Sequence, residues 1–254
     1  MFKDNIIKFI YPKETKELFQ DVFPIPTKQN IPDWFKKLEH TRESRTIKGC
    51  MPFLDSITAG YILRMPQDFA IRHNFLNEKT NKIDTFFNWS TGIHGSVIND
   101  YNLRLNRNST PDNHSIGQVG EECPFNKKNK NLPFYKILNP FRIETAKGYS
   151  CLFVSPLNNS DDRFNIISGI VDTDSYAGAI NFPIIINGDK YPNLDTVIER
   201  GTPYVQVIPF KREAWKMKME EEKSVAKSLI AYLLSNRTFT HIYKKFNWSK
   251  KKWN

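Results

Sequence analysis

Short apolar runs separated by polar turns dominate the middle of the chain. β-Branched and aromatic residues fill these runs, and Pro, Asn and Gly bound them, which is the pattern of short strands. We expect strands at 57–65, 68–72, 83–89, 141–145, 149–154, 164–171, 179–186 and 204–210. Because no amphipathic helices separate these runs, the pattern predicts a mainly β fold, an antiparallel sandwich or barrel such as a jelly-roll.

The two ends of the chain have a different pattern. Residues 1–45 predict short helical pieces joined by proline-rich extended turns. Residues 211–234 predict one long amphipathic helix, since Trp215, Met219 and later apolar residues recur near one helical face. We therefore expect three parts: a helical and extended lead-in at 1–45, a β-rich core domain at 46–210, and a C-terminal helix with a basic aromatic tail at 211–254.

Two connections within the middle of the chain carry their own expectations. Residues 99–131 are polar and are expected to be mostly loop. The segment from Gly148 to Phe210 is expected to form one continuous antiparallel unit, because β-branched runs lie on both sides of a polar, glycine-flanked interruption. That interruption, Asp172 to Tyr176, would then lie at the tip of a hairpin.

Composition supports a folded protein. The chain has 254 residues, of which 39% are hydrophobic and 13% aromatic, enough apolar surface for a core. No run approaches the roughly 20 apolar residues that cross a bilayer, and the first residues lack the features of a signal peptide. Three cysteines without a Cys-x-x-Cys pair suggest free thiols. We expect a soluble protein that does not bind membranes.

The net charge of +10 is concentrated at the C-terminal end. Eight of the 37 basic residues follow Glu222, the last acidic residue, so the first 222 residues carry 29 basic and 27 acidic side chains. This asymmetry is typical of an interaction tail. The tail residues expected to bind a partner are Lys244, Lys245, Trp248, Lys250, Lys251 and Trp253.

The aromatic residues of the tail are compatible with more than one kind of binding partner. Basic residues interleaved with Trp and Phe can stack on nucleic-acid bases or lie at a lipid surface. We favour docking on the chain's own body or on a neighbouring subunit, because burial of three aromatic rings stabilises by several kcal/mol. Self-association or contact with other proteins is the expected partner class, and nucleic acid is the alternative.

A glycine-flanked motif suggests a candidate ligand site. The sequence Gly169-Ile-Val-Asp-Thr-Asp-Ser-Tyr-Ala-Gly178, followed by Gly201-Thr-Pro-Tyr-Val-Gln206, resembles the dUTPase and dCTP deaminase family, which has a β-clip fold. The resemblance implies that Asp172 would hold a water for attack on a phosphate, and that Tyr176 would pack under a deoxyribose. The implied ligand-binding set is Asp172, Asp174, Tyr176 and Gln206.

The chain departs from that family where the phosphates would bind. Ser155 to Ser160 takes the place of the family's Arg-Ser-Ser without supplying the arginine, and no glycine follows Gly201 to make a mobile arm. A polyphosphate needs arginine and backbone donors. We therefore expect no nucleotide hydrolysis, and the alternative role for Asp172 and Asp174 is to accept hydrogen bonds from the local backbone.

A second resemblance covers nearly the whole chain. Its segments are 31–37, 47–61, 138–141, 147–153 and 201–213. They resemble an uncharacterised family, a domain of unknown function, common in tailed phages and with bacterial relatives. The abundant Ile, Lys and Asn agree with an AT-rich viral genome.

Other catalytic patterns are missing from the sequence. The five histidines are scattered, and none has a carboxylate two residues later, so we expect no metal and no cofactor. No Gly-rich P-loop or nucleophile elbow occurs. The preferred hypothesis is a non-enzymatic phage protein, an oligomeric virion or assembly component. We then expect it in the host cytoplasm or in a virion, in contact with copies of itself or with other virion proteins. The alternatives are a dUTPase-like protein that binds or hydrolyses nucleotides, and a protein that binds nucleic acid through its tail.

Overall fold

The computed structural model describes residues 5–89, 113–159, 161–221, 225–235 and 242–254. The strands in this part of the chain are β1 (Ile7–Ile10), β2 (Ile25–Pro26), β3 (Tyr61–Arg64), β4 (Phe69–Asn77), β5 (Lys82–Trp89), β6 (Asn113–His114), β7 (Phe134–Ile137), β8 (Arg142–Thr145), β9 (Tyr149–Val154), β10 (Phe164–Ile166), β11 (Gly169–Val171), β12 (Phe182–Ile186), β13 (Leu194–Ile198) and β14 (Pro203–Lys211). The α helices are α1 (Lys16–Phe19), α2 (Asp33–Lys37), α3 (Met51–Ser56), α4 (Ile116–Val119), α5 (Pro124–Lys128), α6 (Val225–Ser235) and α7 (Ile242–Phe246). Short 3₁₀ turns lie at Lys13–Thr15, Gln20–Val22, Thr27–Asn30 and Ile47–Gly49.

The described strands form four sheets. In spatial order these are β11-β9-β14-β3-β2, β10-β12-β7-β6, β13-β4-β5 and β1-β8. The registered pairs are antiparallel. The expected mainly β, antiparallel, sandwich-like class is confirmed, and the described strands do not close into a barrel.

The chain divides into two compact units, each built from two stretches. The first unit combines Met1–Ile25 with Ile62–Lys211 and contains most of the sheet structure. The second combines Pro26–Tyr61 with Arg212–Asn254. The three-part division expected from composition stays a prediction.

Aromatic side chains join two sheets in the core of the first unit. The ring of Phe153 on β9 lies 5.4 Å from that of Phe182 on β12, and Phe182 meets Tyr204 of β14 edge-on at 5.7 Å. All three side chains are buried. Since β9 and β14 belong to the five-stranded sheet and β12 to the four-stranded sheet, these contacts form the layer between two packed sheets.

The strand β14 lies at the centre of the five-stranded sheet. Its pairing with β9 runs from Gln206 opposite Val154 to Lys211 opposite Tyr149. Residues 204–207 are buried on both faces, which is why the sequence there is a continuous apolar run with a single glutamine.

A buried arginine connects the N-terminal segment to the turn between β3 and β4. The guanidinium of Arg200 donates to the Asp21 carboxylate and to the carbonyl oxygens of Leu18 and Pro66. The backbone N–H of Arg200 donates to the Asp68 carboxylate at 2.7 Å. A side chain with five donors in a rigid fork satisfies several distant acceptors at once, so it fixes this corner of the first unit.

The second unit has a small aromatic core. The rings of Phe35 on α2 and Phe53 on α3 stack at 5.5 Å, and Trp34 meets both rings edge-on. Gly49 lies against the His40 imidazole, where an added Cβ would come within 2.4 Å of Cε1. Glycine is therefore required between α2 and α3 unless the imidazole moves.

Several strand expectations are confirmed. The strand at 149–154 has the predicted bounds, and β5, β8, β12 and β14 lie within two or three residues of the expected ones. The expected strand at 164–171 is two strands instead. β10 pairs with β12 and β11 pairs with β9, because the chain passes from one sheet to the other after Ile166.

The structure corrects one expectation for the region before β3 and another for residues 99–131. Residues 51–56 lie within the expected β-rich core domain but form α3, because Pro52 lies in the first turn and suits a helix start. Residues 99–112 lie outside the described part. The rest of that polar stretch contains β6, α4 and α5, and α4 begins at a capping box between Ser115 and Gln118.

The expected hairpin at Asp172 to Tyr176 is wrong. This segment does connect β11 to β12, but β11 pairs with β9 whereas β12 pairs with β10 and β7. The segment from Gly148 to Phe210 accordingly contributes to three sheets rather than to one continuous unit. No helix lies within its described residues.

The expected helix at 211–234 is also corrected. β14 continues through Lys211, residues 212–221 have no regular secondary structure, and the helix α6 spans only Val225–Ser235. Trp215 and Met219 are four residues apart and fit one face of a helix. Met217 lies off that face, and the three residues together fit the period of two of an extended chain. Propensity and spacing alone therefore overestimate the helix.

Within the described residues, none of the helices is both long and apolar enough to span a lipid bilayer.

The Arg200 contacts predict a measurable loss on mutation. Arg200→Met keeps much of the apolar stem but removes the donors to Asp21, Leu18 and Pro66, so we expect a loss of about 2–4 kcal/mol in the free energy of unfolding. Urea denaturation measures this loss. Arg142→Met, which breaks a half-exposed pair with Glu144, should cost less than about 1 kcal/mol. Equal losses for the two variants would contradict the assigned role of Arg200.

Candidate functional site

The candidate site begins at the turn that follows β11. The backbone N–H groups of Ser175 and Tyr176 donate to the carbonyl oxygen of Asp172, at 3.1 and 2.9 Å. These bonds close one tight turn, which places the Asp172 and Asp174 carboxylates beside the start of β9.

Both carboxylates are bound to groups at the start of β9. Ser150 Oγ donates to Asp172 Oδ1 at 2.6 Å, and the Gly148 N–H donates to Asp174 Oδ2 at 2.8 Å. Gly148 has a φ of +87°, a conformation that favours glycine. Asp174 therefore accepts a backbone hydrogen bond, but from Gly148, 26 residues earlier in the chain, and not from the local backbone that the alternative expected.

The buried threonine of the turn explains why the turn is held so closely. Thr173 Oγ1 lies 2.8 Å from Thr145 Oγ1 and donates to Cys151 Sγ at 3.3 Å. The backbone of Thr145 also donates to the Thr173 carbonyl oxygen. Burial raises the pKa of the Cys151 thiol to about 11. The thiol is therefore protonated at neutral pH and suits a core position rather than a nucleophile.

Tyr176 lies on the exposed side of the turn. Its side chain is 47% exposed, and the phenol donates to the Ala179 carbonyl oxygen at 3.4 Å. The ring lies close to Gly178, where an added Cβ would come 2.6 Å from Tyr176 Oη. The turn thus presents a tyrosine ring beside a glycine, but the phenol already has a local partner.

Gln206 does not join the other three predicted residues. It is buried on β14 opposite Val154, and its Oε1 accepts from the Leu157 N–H at 2.9 Å. Ser150, the partner of Asp172, lies opposite Phe210. Four residues of strand correspond to about 13 Å. Gln206 therefore supports the loop after β9, whereas Asp172, Asp174 and Tyr176 lie together in one turn.

A pocket of about 220 Å³ lies at that loop after β9. Asp161 and Asp162 line it together with Ser155, Asn158 and neighbouring residues. Ser160 lies outside the described residues. Carboxylates at a pocket wall repel phosphate, so this lining does not favour a nucleotide's phosphates.

Arg163 is the arginine nearest in sequence to the expected phosphate loop, and sequence reasoning missed it. Its Nε and Nη2 donate to the two oxygens of Asp161, and Nη1 donates to Thr196 Oγ1 at 2.6 Å. Hydrogen bonds from the Arg163 guanidinium hold the pKa of Asp161 below its usual range. The signal was the Asp-Asp-Arg sequence at 161–163, in which the arginine has a carboxylate partner two residues away.

The tail forms a second candidate site, in the second unit. Trp248 Nε1 and Lys251 Nζ both donate to Asp55 Oδ2 on α3, at 3.0 and 2.7 Å. The ring of Trp253 meets that of Tyr61 edge-on at 6.4 Å. These three tail residues therefore contact the chain itself. Binding of a partner by the tail stays a prediction.

A pocket of about 360 Å³ lies between α3 and the tail. Trp248, Trp253 and Lys250 to Lys252 line it, together with Lys28, Asp55 and their neighbours. The other expected tail residues, Lys244 and Lys245, are exposed on α7 and do not line this pocket. Residues 237–241 of the tail lie outside the described part.

The described residues contain no group of three or more His, Cys, Asp or Glu side chains that could hold a metal ion. The expected absence of a metal or cofactor stays a prediction.

Comparisons with known proteins show a weak structural likeness. No family model matches the chain. No curated protein matches it either. Among solved structures, a variant dUTPase of Staphylococcus bacteriophage 80alpha with dUpNHpp is similar over 36% of this chain and 68% of that chain, with 20% sequence identity and a TM-score of 0.25. A likeness at this TM-score carries no argument about function, and membership of the phage family stays a prediction.

Because the Asp172 carboxylate is hydrogen-bonded within the fold, we expect its mutation to lower stability without affecting any catalytic activity. We expect no magnesium-dependent pyrophosphate release from dUTP or dCTP by the wild-type protein. Asp172→Ala should cost about 1–2 kcal/mol of unfolding free energy, because it removes the short hydrogen bond from Ser150. The control is Asp189→Ala, since Asp189 is an exposed partner of Lys130. Pyrophosphate release that is lost in Asp172→Ala would contradict this assignment.

The Asp161–Arg163 pair predicts a dependence of stability on pH. An aspartate whose pKa is lowered by folding stabilises the fold above its ordinary range and loses that contribution as pH falls through the lowered value. The difference in urea midpoint between wild type and Asp161→Asn should therefore be largest near neutral pH and shrink below about pH 3. A difference that stays constant over this range would rule out the ion pair as its source.

Proposed function

We propose that this protein acts by assembly rather than by catalysis, as a phage-encoded, non-enzymatic β-rich protein that self-associates in a virion or during its assembly. One observation supports the self-association most directly. The C-terminal part of the second unit exposes a run of large apolar side chains that a protein working as a monomer would leave in water.

The exposed apolar side chains lie in two adjoining segments. In residues 212–221 the side chains of Trp215, Met217 and Met219 are 86%, 91% and 85% exposed. On α6 the exposed apolar side chains are Leu229, Ile230, Tyr232 and Leu233. An aromatic side chain buries roughly 150–250 Å². Two of the seven exposed residues, Trp215 and Tyr232, are aromatic. Together with five exposed aliphatic side chains they provide a surface of the order of the roughly 800 Å² per partner that a standard interface buries.

The arrangement of side chains in 212–221 supports an extended contact surface. Lys218 and Glu220 form an ion pair two residues apart, and residues at i and i+2 share a side of an extended chain but not of a helix. The apolar residues 215, 217 and 219 fall on the opposite side of such a chain. A segment with one apolar and one charged side can pair with another strand.

The charges of the same segment favour a second copy of this chain as its partner. Arg212, Lys216 and Lys218 lie towards its beginning with one acidic residue, Glu213, so that half carries a net charge of +2, whereas Glu220 and Glu221 lie at its end. In an antiparallel pair of identical segments, the basic half of one faces the acidic half of the other. A two-fold axis makes this contact twice, so the surface is self-complementary.

The assignment to a phage rests on the sequence. The segments at 31–37, 47–61 and 201–213 resemble a family of tailed phages, and the composition agrees with an AT-rich genome. Catalysis is disfavoured by the candidate site itself, in which Asp172 and Asp174 hold the fold of the turn together.

A dUTPase-like nucleotide-binding role is the second candidate. The exposed ring of Tyr176 beside Gly178 favours it, since such a ring could pack against a deoxyribose. A thermal-shift measurement with dUTP and magnesium tests this role. A rise in melting temperature that Tyr176→Ala abolishes would support it, and no rise would exclude it.

Charge exchange tests the self-association. The wild-type protein should be oligomeric by sedimentation equilibrium. The acidic variant Lys216→Glu/Lys218→Glu and the basic variant Glu220→Lys/Glu221→Lys should each raise the dissociation constant at least about tenfold, because like charges then face each other. An equal mixture of the two variants should associate again. The variant with all four changes should also associate, since its halves are complementary in the reverse order.

Controls separate this contact from other surfaces. Met217→Asp should weaken association, whereas Leu76→Asp, at an exposed apolar position of β4, should not. A wild-type protein that is monomeric at its highest soluble concentration would refute the proposed function. An oligomer that none of the charge variants affects would refute this surface alone.

A further inference from the structure

The pocket between α3 and the tail is lined by residues that the proposed self-association does not use. It is about 360 Å³ in volume, which lies within the roughly 300–1,000 Å³ of small-molecule sites. Two indole rings, those of Trp248 and Trp253, contribute to its wall. Aromatic rings at a wall can stack on a flat heterocycle, and indole offers the largest surface for this purpose.

The charge of the lining is strongly positive. Four lysines, Lys28, Lys250, Lys251 and Lys252, contribute to it, against one acidic side chain, that of Asp55. Asp55 is engaged with Lys251 and with the Trp248 indole. Within the described part of the chain, Lys250 and Lys252 pair with no carboxylate. Two ammonium groups are thus available to an anion beside the indole rings.

Asp55 explains how the pocket keeps its form. One carboxylate oxygen accepts from both Trp248 Nε1 and Lys251 Nζ. At the other end of the tail, Asn254 accepts from Tyr61 and from Lys28, both at 3.1 Å. The tail is therefore attached at two places, to Asp55 and to Lys28 with Tyr61. The pocket lies along the tail.

We infer that this pocket binds a nucleotide unit, with the base stacked on Trp248 or Trp253 and the phosphate held by Lys250 and Lys252. Stacking and ammonium–phosphate contacts are together the chemistry by which proteins bind nucleotides without sequence preference. The unit belongs either to a free nucleotide or to a single strand of nucleic acid, and both offer the same base and phosphate. This inference does not depend on the proposed self-association.

Binding is measured with the full chain by calorimetry and by quenching of tryptophan fluorescence. The probes are thymidine 5′-monophosphate, thymidine, inorganic phosphate and a short oligothymidylate. The monophosphate should bind more tightly than thymidine or phosphate alone, because each of these lacks one half of the recognised group. Inorganic phosphate that binds as tightly as the monophosphate would overturn the stacking contact, and no binding of any probe would overturn the site.

A comparison of the affinities for the monophosphate and the oligonucleotide distinguishes a free nucleotide from a single strand of nucleic acid. A single strand offers further phosphates to the tail, so tighter binding of the oligonucleotide, with an affinity that falls steeply with salt, identifies nucleic acid as the source. Equal affinity per site for the monophosphate and the oligonucleotide identifies a free nucleotide. Each result supports the pocket.

Matched variants on the same tail locate the site. Lys250→Glu/Lys252→Glu should weaken binding at least tenfold, and Trp253→Ala should weaken it roughly 5- to 100-fold. Lys244→Glu/Lys245→Glu makes the same change in net charge on α7, outside the pocket lining, and should change affinity less than about threefold. Equal losses for the two lysine pairs would mean that the whole tail attracts the anion, and would overturn the pocket.

Discussion

The pairing of β9 with β14 is the constraint on which the other features of the first unit depend. This register places Ser150 opposite Phe210 and Val154 opposite Gln206. The start of β9 then holds the turn at Asp172, and its end holds the loop that Gln206 supports. β14 stays paired through Lys211, so the exposed segment begins where the sheet ends. A shift of one residue in this pairing would move the buried side chains of one strand to the opposite face of the sheet.

The strands that the sequence pattern predicts best are those in which apolar alternation and turn residues agree. β9 has the predicted bounds because Gly148 ends the preceding turn and Tyr149 begins an alternating run. The pairing of strands is not local information, so the β11–β12 connection was wrongly expected to be a hairpin. Grouping Gln206 with Asp172 failed for the same reason. Order along the chain does not tell which end of a strand a residue faces.

Helix and strand periods coincide over short stretches, and this limits what the sequence tells about the C-terminal region. Trp215 and Met219 fit a helical face, but Met217 between them fits only a period of two. The contacts of Asp55 were equally hidden, because Lys251 lies 196 residues further along the chain. By contrast, the docking of Trp248 and Trp253 could be anticipated from amino-acid type alone. Exposure of two indole rings to water is unfavourable, and their contact with another surface lowers the free energy of the protein.

The positive charge of the tail acquires a more specific meaning once the tail is docked. A flexible basic tail attracts any polyanion, and its affinity depends only on the number of charges. Attachment to Asp55 neutralises one lysine and orders the residues on both sides of it. Because the neighbouring lysines keep their charge beside two fixed indole rings, docking and anion binding are not competing explanations of the same residues. The docked arrangement orders the rings before a ligand arrives, which lowers the entropy lost on binding.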